Sequence, residues 1–433
     1  MVDEDKFVFE YPNGIDQYLG GSPVSDYLTA YLQDIGAQTY VVEKEYVDRD
    51  YLVDYQKFYS RAFENHKRFT TRLHFFKNKF SEKEFKSSIK NGSAELQNDY
   101  LGFVVIKPIK GPHKKWLIGR TLLRTYPKKD NQKERVFIGN KYSSSLFGLQ
   151  LGIHTLPFQE QDRGVSACAT ISLWTCLFPL RNFFNTPTQS PAEITEISTL
   201  FPAPYRRFPS VGLTLEQILN YIGTIGLESE IYRYPEEDKI PIFIKAYTTE
   251  TNMPILAVLE LHQNNNSSPD NHAVVISGYK QNKNREIEEL YVHDDQIGPY
   301  SRVKPVDGSF VLWDNEWMRN YNYERVMLKY LIVPIYEKIR LTFTEISAIF
   351  DEYVETYRDK YPEIKWELFL SYVQKYKQFL ISQNIEDKWQ ILSHPMPKYM
   401  WIIRGYKNDD MIIDVVYDAT AVHPKELMTI KFL

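Results

Sequence analysis

A chain of 433 residues is too long for one ordinary compact domain and long enough for two or three. Its 43% apolar and 25% charged residues are the balance of a globular protein, which excludes a low-complexity chain. A net charge of −4 gives no general reason to expect a nucleic-acid partner, and the basic stretches 107–115 and 128–135 read as solvated loops.

The opening MVDEDK is acidic and lacks the apolar stretch of a secretory leader, and no apolar run approaches the roughly 20 residues of a membrane helix. No membrane partner is therefore expected. The two cysteines, Cys168 and Cys176, lie eight apart in one expected helix. That is ~12 Å along the axis, beyond the reach of about 7 Å that a disulfide allows. The expected setting is a reducing cytoplasm in which a thiol stays free.

The expected fold class is α+β, in three sections. Residues 1–150 form an N-terminal α+β section to which no role attaches. Strands are expected at Tyr40–Tyr46, from Tyr100 to Ile109 and at Trp116–Tyr126, the last two paired, with a helix over Tyr51–Phe63. Residues 151–338 begin with helices and end with strands. A helix over Ser166–Leu180 is apolar nearly all round, as a buried central helix is. A short helix follows over Pro191–Leu200, and another from Leu213, with Thr214 as N-cap, Gln217 three residues on and a glycine stop. Strands are expected at Pro254–Leu261, His272–Tyr279 and Ile287–His293, the first two separated by a polar loop over 263–271. Residues 339–433 show two amphipathic helices, Phe343–Arg358 and Trp366–Ser382. Two strands close this section, Tyr399–Tyr406 and Met411–Tyr417, joined by a turn at 407–410.

Chemistry concentrates in the middle section. Cys168 stands where a loop containing Gly164 and Ser166 enters a helix, and the N–H groups and dipole of a helix start stabilise a thiolate. Cys176, deeper in the same helix, reads as core. His272 opens a β-branched strand after a polar loop, a position that exposes a ring nitrogen at a cleft, where a general base belongs. No C-x-x-C or H-E-x-x-H spacing occurs, so neither a metal nor another cofactor is expected. His154 and His293 read as structural.

The segment NHAVVISGY, 271–279, resembles the histidine strand of papain-like cysteine peptidases, and QDRGVSAC, 161–168, resembles their glutamine-loop-cysteine entry. LYVHDDQIGPY, 290–300, falls where these enzymes carry their third residue. An acidic residue there, followed by a Gly-Pro turn, is closer to the bacteriocin-leader-processing peptidases than to papain. The papain glycine and tryptophan around the cysteine are missing, as is Asn-Ser-Trp.

The resemblance covers about a third of the chain. It implies a papain-like central domain, in which a helix carrying the cysteine packs on an antiparallel sheet carrying the histidine and aspartate, with α/β flanking sections. By the same resemblance Cys168 is the nucleophile and His272 its base. Gln161 steadies the oxyanion, with Gln159 in reserve, and Asp294 orients the imidazole. Asp295 is the alternate. Strand alternation sets these two aspartates on opposite faces, with the unused one solvated. The implied activity is that of a thiol hydrolase cutting a peptide or isopeptide bond in a protein or peptide substrate. An acyltransferase, deamidase or transglutaminase-like enzyme would use the same acyl-enzyme, and a non-catalytic papain-like binding module is the remaining alternative.

Overall fold

The computed structural model describes residues 6–433 except 93, 112–113, 131–132, 163, 166, 203–211, 264–267, 322 and 409. Ser166, positions 264–267 of the polar loop and Asp409 of the 407–410 turn thus lie outside the described residues, as do parts of both basic stretches. The fold is mixed α+β, and its sheets are antiparallel. Among the described residues no helix is long and apolar enough to cross a membrane.

A five-stranded sheet runs in chain order through Val8–Glu10, Thr39–Tyr46, Thr70–Phe76, Tyr100–Lys110 and Trp116–Leu123. Alternation gives it two faces. Leu73 and Phe75 turn towards the helix Pro23–Asp34, sharing its core with Leu28 and Leu32. Arg72 and His74 point the other way and meet Glu43 at 2.7 and 3.3 Å. The expected Tyr51–Phe63 helix is shorter. It spans Arg49–Lys57, capped by the Asp48 carboxylate, and gives way to a 3-10 turn at Tyr59–Arg61.

The central sheet closes on itself. Ile255–His262 pairs with both Asp270–Gln281 and Arg325–Tyr336. The circuit is completed through Ile287–Asp294, Gly298–Val306 and Ser309–Asp314. Closure pairs edges that would otherwise lie open. Leu227–Arg233 extends the sheet from Arg325–Tyr336, and Lys133–Phe137 extends it from Asp270–Gln281. Lys133–Phe137 lies before residue 150 in sequence and pairs with Lys129–Asp130 on one side, yet its other edge joins the middle section.

The helix Cys168–Phe184 packs across this sheet. Leu173, Trp174 and Leu177 meet Ala273, Val275 and Leu256 in one core. The helices Pro191–Ser198 and Leu215–Thr224 lie beside it, and the expected Thr214–Gln217 capping box is formed.

One element differs in kind. Trp366–Ser382 is not a single helix: Ile364–Tyr372 is a strand, and the helix begins at Val373. Leu368 and Leu370 face one core while Phe369 faces another. A segment buried on both sides shows a continuous apolar run, which periodicity alone does not assign to helix or strand. The strand pairs with Tyr399–Lys407, which leads a hairpin to Asp410–Asp418. Trp401 and Val415 of these last strands join the same core as Val274 and Leu328 of the closed sheet.

Candidate active site

Ala167, in extended conformation (φ −108°, ψ 176°), delivers the chain into a helix whose first residue is Cys168. Among the described residues no side chain caps this start and no acidic residue sits in its first turn, so the half-exposed thiol stands at the positive end of the helix. One turn on, Ser172 Oγ donates to the carbonyl of Ala273 at 3.0 Å, pinning the helix to the strand that carries His272. Cys176 is fully buried, and burial pushes its thiol up, as befits an inert core residue.

His272 is 3% exposed, and its ring interacts with the Cys168 thiol. Its Nε2 donates to Asp294 Oδ1 at 2.9 Å. The other oxygen, Asp294 Oδ2, accepts from the Trp317 indole at 2.7 Å, and Oδ1 also accepts from the backbone N–H of Gln296 at 3.0 Å. Burial disfavours the charged ring, but the Asp294 charge and hydrogen bond outweigh it. With the Cys168 thiol adding to them, His272 is held well above the usual imidazole value. Burial likewise opposes the Asp294 carboxylate. The imidazolium beside it, together with the indole and backbone donors, still brings it below the usual range. The pair is therefore an ion pair at neutral pH, made tolerable in the interior because the remaining acceptor positions are filled.

Asp295 departs from expectation. The strand ends at Asp294, so strict alternation does not extend to the next residue. Asp295 is not solvated but 3% exposed, and its Oδ1 lies 3.9 Å from the same His272 Nε2. Among the described residues neither Asp295 oxygen has a hydrogen-bond partner beyond its own backbone N–H. The donor atoms of His272, Asp294 and Asp295 lie within 4.8 Å of one another, close enough to share a cation. However, Nε2 and both Asp294 oxygens are already engaged in the bonds just described.

Gln161 reaches this group through its backbone: its N–H lies 3.4 Å from the carbonyl oxygen of Asp295. Gln159 is 1% exposed, and its Nε2 lacks a partner among the described residues. A cleft of about 710 Å³ opens over Cys168 and His272, and neither glutamine is among its described lining residues. Leu213, Ile218, Val258 and Tyr330 give the cleft apolar walls.

His293 has a structural place. Its Nε2 meets the Leu156 carbonyl at 3.1 Å, and its Nδ1 accepts from the Tyr300 N–H at 3.2 Å. Burial pushes this imidazole down to about 3, so the ring is neutral. His154 lies on the exposed side of the hairpin strand Leu149–Thr155.

Two residues of the site carry no expectation from sequence. Trp317 sits in the short helix Glu316–Asn320, with its ring edge-on to His272 at 5.0 Å. Gln296 lines the cleft, its Nε2 3.5 Å from His272 Nδ1. Gln296 was open to inference, being two residues past Asp294 in the same turn. Nothing local in the sequence points to Trp317.

The first section supports both the Cys168–Phe184 helix and the neighbouring Pro191–Ser198 helix directly. Asp50 accepts from the Trp174 indole at 3.0 Å, and Asp54 accepts from the Ala192 N–H at 3.0 Å. Gly298, just past the aspartates, meets Tyr27 so closely that a Cβ there would lie 2.1 Å from the ring, so only glycine admits the contact.

No family model matches this chain, and a search of curated proteins gives no match.

Proposed function

We propose that the protein is a papain-like cysteine-dependent hydrolase that cuts a peptide or isopeptide bond through a Cys168 acyl-enzyme. The observation that carries this reading is that Cys168 and His272 line one cleft, with His272 Nε2 on the Asp294 carboxylate at 2.9 Å. A helix carrying the cysteine, packed on an antiparallel sheet carrying the histidine and aspartate, is also the arrangement the papain-like resemblance implies.

Binding of Nε2 by Asp294 leaves Nδ1 as the nitrogen that exchanges a proton with the thiol. The thiolate attacks the substrate carbonyl carbon, a C–S bond forms, and the π electrons move onto oxygen. The Cys168 backbone N–H, with the Gln161 amide as the second donor implied by the resemblance, steadies that oxygen. The oxyanion collapses, the C–N bond breaks, and His272 gives its proton to the departing amine. A water then adds to the thioester as His272 takes its proton, and the thiolate leaves. Asp294 orients the ring and stabilises its charged form throughout. A non-catalytic module would need neither a carboxylate-held imidazole beside a helix-start thiol nor an open cleft lined by both.

Alkylation by iodoacetamide, read by peptide mass spectrometry, tests the reading. Selective modification of Cys168 that depends on His272 supports it, and modification indifferent to His272 refutes it. Trapping the acyl-enzyme and offering it an amine beside water separates hydrolysis from acyl transfer.

A further inference from the structure

A fully buried carboxyl group with both oxygens unpartnered is costly unless it is neutral or compensated. Among the described residues Asp295 is such a group, its own backbone N–H apart, and it lies 3.9 Å from the nitrogen that Asp294 already holds. We propose that Asp295 is a second positioning carboxyl for His272, one that acts through its charge and governs how tightly the imidazole keeps the proton it must surrender. The proposal rests on the Cys168–His272–Asp294 reading above and adds a residue to it.

The surroundings of Asp295 define its charge. Burial weighs most against the anion; His272 on the neighbouring strand and the residue's own backbone N–H favour it, while Asp294 at its own strand end and Glu160 from the loop before the nucleophile helix disfavour it. The net result is a carboxyl pushed up to about 8. Glu160 is itself pushed up to about 7, chiefly by burial. Its carboxylate accepts from the Ile118 N–H, with Lys107 favouring its anion and Asp162 opposing it. At neutral pH the imidazolium therefore faces one carboxylate, Asp294, with a neutral acid beside it. When Asp295 ionises, a second carboxylate shares the same ring. The imidazolium becomes a weaker acid, and return of its proton to a leaving group slows. Trp317 and the Gln296 N–H anchor Asp294 alone, so the two aspartates are not equivalent.

The test follows the His272 ring by NMR with histidines labelled at the ring carbon, in the full-length protein, and needs no substrate. His272→Gln identifies the signal, and the buried neutral His293 ring serves as an internal reporter of intact folding. In the wild type the His272 ring should titrate well above the ordinary imidazole value. In Asp295→Asn, which keeps the size and removes the charge, its midpoint should fall by roughly one pH unit or more. Asp295→Ser, examined the same way, guards against a contact peculiar to asparagine. An unchanged midpoint in both variants, with His293 undisturbed, overturns the role of Asp295 while leaving the proposed function standing. An ordinary His272 midpoint in the wild type instead removes the ion pair and the proposed function with it.

Discussion

The Trp317 indole donates to Asp294 Oδ2 at 2.7 Å, while the other oxygen of the same carboxylate holds His272 at 2.9 Å. The tryptophan also lies edge-on to the imidazole at 5.0 Å, so a single side chain braces both members of the pair. Trp317→Phe keeps the aromatic contact and removes the donor. Leaving a buried acceptor short of its partner should cost about 1–3 kcal/mol, measured by urea unfolding. Cys168 alkylation should slow as well. An unchanged unfolding midpoint would show that the indole bond contributes nothing.

Asp294→Asn tests the ion pair through its pH dependence. A raised His272 contributes stability that is complete below the unfolded value near 6.5 and is lost as pH climbs through the folded one. A lowered Asp294 contributes stability that is present above about 3.9 and is lost as pH falls through its folded value. Both contributions are complete from about pH 4 to 6.5. The variant should therefore lose most there, about 3–5 kcal/mol, and less in stronger acid. A loss that does not vary with pH would mean that asparagine merely packs badly.

Asp54 has the opposite sign. Burial pushes this carboxyl up to about 7, so the folded protein keeps a proton that the unfolded chain gives up from about pH 4. Stability falls as pH rises from about 4 to 7 and is level beyond. Asp54→Asn can still accept from the Ala192 N–H, so it should match the wild type near pH 4 and unfold later than it at pH 8. The expected gain is about 1–3 kcal/mol. Equal melting temperatures at pH 8 would contradict this.

The oxyanion role separates by a reversible aldehyde inhibitor, whose adduct with the thiol carries a tetrahedral oxygen, from iodoacetamide, whose adduct does not. Gln161→Ala should weaken aldehyde binding by ~10²-fold while leaving alkylation unchanged. If Gln159→Ala shows that pattern instead, the buried unpartnered Gln159 amide is the donor. Loss of both reactions in either variant would indicate a structural role.

Cys168, His272 and Asp294 were legible because each marks a local event: a helix start, a strand opening, a strand end. The Thr214–Gln217 capping box was legible for the same reason. Asp295 was misplaced because alternation was carried one residue past the end of its strand. Trp317 was invisible because its partners lie 23 and 45 positions away, and only closure of the sheet brings them together. Residues 366–372 read as helix because both faces of their strand are buried, which removes the alternation that identifies a strand.

The rate of Cys168 alkylation by iodoacetamide at neutral pH, in the wild type and in His272→Ala, tests the central claim most directly. The account predicts fast modification of Cys168, none of the buried Cys176, and a loss of at least ~10-fold on removing the imidazole. Equal rates in the two proteins, or modification of Cys176 in preference to Cys168, would contradict it.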